Sequence, residues 1–385
     1  MPSLPPRGGG MSTNRRSRFA TGWGAPASGS LDTPTPFRQT VPPRGREGER
    51  TTAWLITDGK IGDEVPMRGL AAAMGLAAAP HHIRPRKFFA ALAPWGPADP
   101  LDMHRLCHSR ESGHPGVVDA MDSRLRGNDS FPAFAFAAGR RTVPVLRALK
   151  ATSLATFTIF LGNPRTRRHG ADAVWAAAHD GLAAPDIVST LTTPHPYSQA
   201  ALAALRENPD PRVAALPTPR AGLLIGGTSR HHSYGPAEVA ALVAAAHTIR
   251  AQGFSLAATI SRRTPPTLTK TLRETFRDNP DVFLWTGEGD NPYGSILACA
   301  DALLVTADST NMVSEAVATH APVHIFEPSG GHPRLTRLLN GLIGDGRIRR
   351  WTGRLERWPV QPVDATPGIA AELLRRWQAF QQAES

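Results

Sequence analysis

Val305-Thr306-Ala307-Asp308-Ser309-Thr310-Asn311-Met312-Val313-Ser314-Glu315-Ala316 is the stretch whose reading decides the fold. An apolar run of strand length, residues 302–306, passes through short polar side chains into a helix predicted over 311–319. A strand that turns directly into a helix is half of a βαβ unit. The start of that helix offers unpaired N–H donors and a partial positive charge, both suited to a diphosphate. Ser309 and Asn311 are placed to meet phosphate, flanked by Asp308 and Met312. Glu315, about one turn inside, is placed to accept from ribose hydroxyls. The plainer alternative is a capped helix with a solvated carboxylate.

Outward from this stretch the pattern alternates. Strands are predicted at 221–225, 255–260, 282–285 and 323–326, with helices at 236–252, 266–277, 293–299 and 333–342, which makes residues 220–367 a doubly wound domain. A last helix, 369–382, lies within a C-terminal segment, 368–385, and has no strand after it, so it is free to pack back across the other half. Toward the N-terminus a β-type run at 53–57 ends in Asp58-Gly59-Lys60-Ile61-Gly62 and a helix with Met67, Leu70, Ala71 and Met74. Further strands at 133–138, 156–161, 173–177 and 186–190, with a helix at 143–150, give a second parallel sheet in residues 51–195. A Pro-punctuated linker, 196–219, separates the two and encloses the end of a helix over 198–207. The expected fold class is therefore α/β: two Rossmann-like, doubly wound domains.

Two segments read differently. Residues 1–50 carry eight Arg against three acids, a net +5 of the chain's formal +11, and are rich in Pro and Gly. Such composition predicts a disordered basic tail. Residues 107–130 are polar and without periodicity, in the manner of a translated genomic repeat. They are read as an insertion without function, tolerable because closure entropy grows slowly with loop length.

The two cysteines, Cys107 and Cys299, point away from a disulfide framework and from a Cys-based zinc site. No apolar run approaches the roughly 18 residues of a spanning helix. The expectation is a cytoplasmic protein, alternatively one peripheral to the inner membrane. The positive charge suits an anionic partner.

Other motifs sit at strand ends. Gly226-Gly227-Thr228 follows the strand at 221–225, where missing Cβ atoms let backbone approach a phosphate or make a tight turn. Ser261-Arg262-Arg263 follows the next strand, at the edge where open α/β sheets hold ligands, and either Arg suits a diphosphate. Asn291 borders the same edge. In the first domain Asp58, Lys60, Asp63 and Glu64 crowd one turn, and His179-Asp180 closes a strand. Asp58 or His179 is the expected general base. No Asp-x-Asp pair or tight His spacing suggests a metal.

The words themselves resemble a known family. Trp54-Leu55-Ile56-Thr57-Asp58-Gly59-Lys60-Ile61-Gly62, Phe160-Leu161-Gly162-Asn163-Pro164-Arg165, His179-Asp180, Ile225-Gly226-Gly227, Ser261-Arg262-Arg263-Thr264, Asn291-Pro292-Tyr293 and the opening stretch are similar to signatures of the mitochondrial-fission Elm-one family of plants and its bacterial relatives. The match spans about residues 53–377. That resemblance implies a GT-B architecture, and bacterial relatives are often labelled nucleoside-diphosphate-sugar epimerases. The family pattern continues after the first Gly turn with Gly-His-Glu/Asn-x-Gln, whereas here Gly62-Asp63-Glu64-Val65-Pro66 stands. A short-chain epimerase mechanism needs Tyr-x-x-x-Lys, and Tyr197, Tyr234 and Tyr293 each lack that Lys.

Three functions follow as expectations. The first is a glycosyltransferase that binds a nucleotide-sugar as substrate and uses no cofactor, metal or nucleic acid, with an unnamed acceptor presented at a membrane surface. The second is a non-catalytic, membrane-associated adaptor. The third is an epimerase on a GT-B scaffold.

Overall fold

The computed structural model describes residues 51–108 and 131–384. The predicted tail lies outside them. So does the predicted insertion, except that Cys107 and His108 end a helix.

The first half runs β1 (Thr52–Thr57), α1 (Ile61–Ala73), β2 (Ala77–His82), α2 (Lys87–Leu92), α3 (Pro100–His108), β3 (Phe134–Ala138), α4 (Val143–Thr152), β4 (Phe157–Leu161), β5 (Ala173–Ala177) and β6 (Ile187–Thr190). Its sheet is wholly parallel in the order β2-β1-β3-β4-β5-β6. Every residue of β3, β4 and β5 is buried, as expected for central strands covered by helices on both faces. Two helices, α5 (Gln199–Glu207) and α6 (Pro211–Ala214), lead into the second half.

There the order is β7 (Arg220–Ile225), β8 (His232–Ser233), α7 (Pro236–Ala251), β9 (Ser255–Ile260), α8 (Pro266–Thr275), β10 (Val282–Trp285), α9 (Tyr293–Cys299) and β11 (Ala302–Thr306). It continues through α10 (Thr310–Val317), β12 (Val323–Phe326), β13 (Ser329–Gly330), α11 (Pro333–Gly344), β14 (Ile348–Arg350) and α12 (Thr366–Glu384). The main sheet is β10-β9-β7-β11-β12-β14, again parallel, and β8 pairs with β13 in a small antiparallel ribbon.

Helix α12 returns to the first half. Its Ile369, Ala370, Leu373 and Trp377 enter the core formed by Leu55, Met67 and Phe134. The Trp377 ring lies 5.1 Å from Phe134, and Phe380 lies 5.4 Å from Phe157. Two doubly wound sheets, with the last helix carried back over the first, constitute the GT-B architecture. Each sheet reverses its winding once, between β1 and β3 and between β7 and β11, and open α/β sheets bind ligands at the carboxyl ends beside such points. In this chain those points lie at the residues following β1, β3, β7 and β11.

Candidate functional site

The turn after β11 is built around Asp308, whose side chain is fully buried. Its carboxylate accepts from the Gly227 amide at 2.8 Å, Tyr234 hydroxyl at 2.7 Å, Thr306 hydroxyl at 2.7 Å and Arg263 guanidinium at 3.1 Å. The Gly226 amide donates to Thr306 Oγ1 at 2.7 Å. A Cβ on Gly226 would lie 2.2 Å from both carboxylate oxygens, and one on Gly227 would lie 2.1 Å from the Arg263 carbonyl. Both glycines exist to let β7 approach Asp308 and the 261–264 turn. Their N–H donors are already engaged within the chain. Arg263 is likewise committed to Asp308, and the Thr228 amide donates to Arg263 O. Ser261 Oγ lies 3.2 Å from Thr264 Oγ1 within the same turn, while Arg262 is exposed.

Between the two sheets lies a cavity of about 690 Å³. Of the residues singled out from sequence, Asp63, His179, Asp180, Asp308, Ser309 and Asn311 line it. Asp58, Gly226, Gly227, Thr228, Ser261, Arg262, Arg263, Asn291, Met312 and Glu315 are not among its lining residues. Ser309 caps α10, accepting from the Met312 amide at 3.4 Å, and Met312 itself packs partly against the core of the second half. Asn311 spans the cleft: its Nδ2 donates to the Gly62 carbonyl at 2.7 Å.

The cleft is lined by guanidinium groups from both halves, Arg165 from the first and Arg230 and Arg334 from the second. Arg165 is the one non-glycine residue at positive φ among the described residues, at 61°, and Asn163 Oδ1 accepts from its amide at 2.8 Å. Backbone held in a sparsely populated region collects at functional sites. Arg334 pairs with Asp180 at 3.1 Å, and Arg337 donates twice to the His179 carbonyl, at 3.1 and 2.6 Å. The His231 and His332 rings lie 4.3 Å apart. His332 Nδ1 accepts from the Arg334 amide at 3.2 Å, which places the ring proton on Nε2. Desolvation, then His231 and the guanidiniums of Arg334, Arg337 and Arg230, hold the His332 pKa down. The lining thus sets three guanidinium side chains, Arg165, Arg230 and Arg334, beside three carboxylates, Asp63, Asp180 and Asp308.

On the first domain's side, of the two expected bases His179 lines the cleft and Asp58 does not. Asp58 Oδ2 is 2.6 Å from Lys60 Nζ, and its Oδ1 is buried without a partner among the described residues, off the cleft lining. Asp63, at the first turn of α1, lines the cleft instead, next to Gly139 beyond β3. Burial raises its pKa, opposed by Lys60 and assisted by Asp58. This is the position at which the sequence departs from the Gly-His pattern, so the departure itself was the signal. His179 is buried and its pKa is lowered, chiefly by desolvation, so its ring is neutral near pH 7; its Nδ1 has no partner among the described residues.

Glu315 lies elsewhere. It is buried, and its Oε2 accepts from the Tyr293 hydroxyl at 2.5 Å, beside Tyr197, whose ring is 5.8 Å from Tyr293. Burial pushes its pKa up to about 7 against the lowering effect of the Tyr293 bond. Asn291 Oδ1 accepts from the Tyr293 amide at 3.1 Å, in the turn before α9. Neither Glu315 nor Asn291 is among the residues lining the cleft. Among the described residues no three His, Cys, Asp or Glu side chains come together so as to hold a metal ion.

The family model described as Mitochondrial fission ELM1 matches residues 61–377. Mitochondrial fission protein ELM1 of Arabidopsis thaliana is 24% identical over 307 residues, 70% of this chain and 72% of the plant protein. Similar solved structures include MurG of Acinetobacter baumannii, at 12% identity and TM-score 0.41 over 86% of this chain and 92% of that one. UDP-GlcNAc 2-epimerase of Neisseria meningitidis bound to UDP-GlcNAc is similar at 11% identity and TM-score 0.46, over 84% and 99%.

Proposed function

This chain belongs to the mitochondrial fission ELM1 family, and we propose that its interdomain cleft binds the diphosphate of a nucleotide-sugar and transfers the sugar to an acceptor hydroxyl. One observation carries the reading: Arg165, Arg230 and Arg334, contributed by both halves, line one cavity with the capped N-terminus of α10. Guanidiniums and free helical N–H groups together recognise a diphosphate.

In the transfer the acceptor oxygen bonds to the anomeric carbon as the bond from that carbon to the diphosphate oxygen breaks. The electron pair leaves on the nucleoside diphosphate, where Arg165 and Arg230, with Arg334 shared between the ligand and Asp180, balance the developing charge. Asp63 takes the acceptor's proton; burial raises its pKa from the ordinary carboxylate value, toward the working pH of a base. His179 Nδ1 accepts from a sugar hydroxyl, which supplies the partner it lacks. Gly226, Gly227 and Asp308 serve the site indirectly by fixing the β7–β11 edge.

Thermal-shift screening of UDP-, GDP-, ADP- and CMP-sugars tests this. A rise in melting temperature with one nucleotide class, absent for the free sugar, is expected. No shift with any of them would overturn the reading in favour of the non-catalytic adaptor.

A further inference from the structure

The most unusual surface lies away from the cleft lining. Helix α2 buries none of its six residues, although it contains two phenylalanines and a leucine. Phe88 is 67% exposed, Leu92 39%, Trp95 68% and Leu101, at the start of α3, 50%. Phe88 and Leu92 are four residues apart and so share one helical face. Trp95 follows on the turn that closes α2, its amide donating to Leu92 O at 3.0 Å.

This segment is pinned. Arg140 donates to Ala93 O at 3.0 Å, Arg147 to Trp95 O at 3.3 Å, and Arg86 pairs with Asp99 at 2.9 Å. The apolar side chains are therefore displayed by a braced element. Its charge is one-sided. Asp99 and Asp102 are buried and engaged by Arg86, by the Arg84 and Leu101 amides and by Arg105. Arg84 and Lys87 are exposed and make no ion pair among the described residues.

We propose that α2 and the turn through Trp95 form a docking surface for an anionic lipid bilayer. Phe88, Leu92 and Trp95 would enter the headgroup region, with Arg84 and Lys87 at the phosphates. Exposed aromatic and aliphatic groups rimmed by cations, on a short element lying flat, are the composition that binds such an interface. A protein partner would need carboxylates to answer the same cations, whereas an anionic bilayer supplies negative charge and an apolar layer together.

Flotation of the full chain with phosphatidylcholine vesicles, with and without phosphatidylglycerol, tests the assignment. Binding to the anionic vesicles alone is expected. Phe88→Ser with Trp95→Ser should lower it by about tenfold or more, because two partly buried aromatics are lost from the interface. Arg84→Glu with Lys87→Glu should lower it at low salt. All four side chains are exposed, so the variants should keep the wild-type melting temperature. Failure to bind anionic vesicles overturns the proposal. So does binding that survives loss of both aromatics, which would place it on other basic segments. A wild-type dimer that these variants convert to monomer, without vesicle binding, would assign the surface to a second copy instead.

Discussion

The Tyr293 hydroxyl donates to Glu315 Oε2 at 2.5 Å, from α9 to α10 across 22 positions of sequence. The contact turns a residue that helical spacing alone assigns to a ligand into part of the interior of the second domain. It also gives Glu315 a thermodynamic signature. The folded pKa of about 7 stands above the ordinary 4.5, so the native state holds a proton that the unfolded chain releases first. The stabilisation is fully present below pH 4.5 and is lost as pH rises toward 7, a span on the order of 3 kcal/mol. Glu315→Gln should flatten this slope and be the more stable protein above pH 7. Urea titrations across that range that run parallel for the two proteins would show the carboxyl to be solvated.

Asp308 should be the most sensitive polar position in the second half. Removing a buried charge that four donors satisfy costs about 3–5 kcal/mol, so Asp308→Ala should lose most of that in chemical denaturation. A loss below about 1 kcal/mol would be that of an ordinary exposed bond and would contradict the keystone role.

Asn311 and Gly62 join the halves at the mouth of the cleft. Asn311→Ala should cost little stability, about 0.5–1.5 kcal/mol for one bond. It should nevertheless open the cleft, visible as a larger radius of gyration in small-angle scattering. An unchanged radius would mean that the remaining contacts, such as Arg334 to Asp180, Arg337 to His179 O and Thr193 to Ser314, suffice to hold the two halves.

Once a donor is identified, Asp63→Asn should reduce turnover by about 10²- to 10⁴-fold, the ordinary weight of general base catalysis, with nucleotide affinity little changed. Comparable loss in Asp58→Asn but not Asp63→Asn would restore the residue favoured by sequence.

The fold was legible where burial is two-sided. β9, β11, β12 and α9 begin and end where the apolar runs and their Gly, Pro and Asp boundaries place them. It was illegible at two of the four edges, while the edge strands β6 and β10 were read within one residue. β2 reads Ala-Ala-Ala-Pro-His-His, without β-branched residues, and its Pro80 is tolerated because an edge strand needs fewer ladder donors. β14 ends in two exposed arginines. The site was half legible for a related reason. Glycine after a strand announces a close approach of backbone but not what approaches, and at Gly226 it is a carboxylate of the same chain. Spacing along α10 placed Glu315 near the strand edge and could not say which side of the helix faced the cleft. Arg230, His231, His332 and Arg334 come from the β8 and β13 ribbon and the start of α11, where no periodicity points to a common cavity.

The central claim, that the cleft is a diphosphate site, is tested most directly by calorimetric titration of wild-type protein and of Arg230→Ala and Arg334→Ala with UDP, GDP, ADP and CDP. The account predicts measurable binding of at least one, weakened roughly ten- to a hundredfold by each substitution, since a charged hydrogen bond contributes about 1.5–3 kcal/mol. The affinity should also fall as salt is raised. Binding of none of the four by the folded wild-type protein, or an affinity indifferent to both arginines, would contradict it.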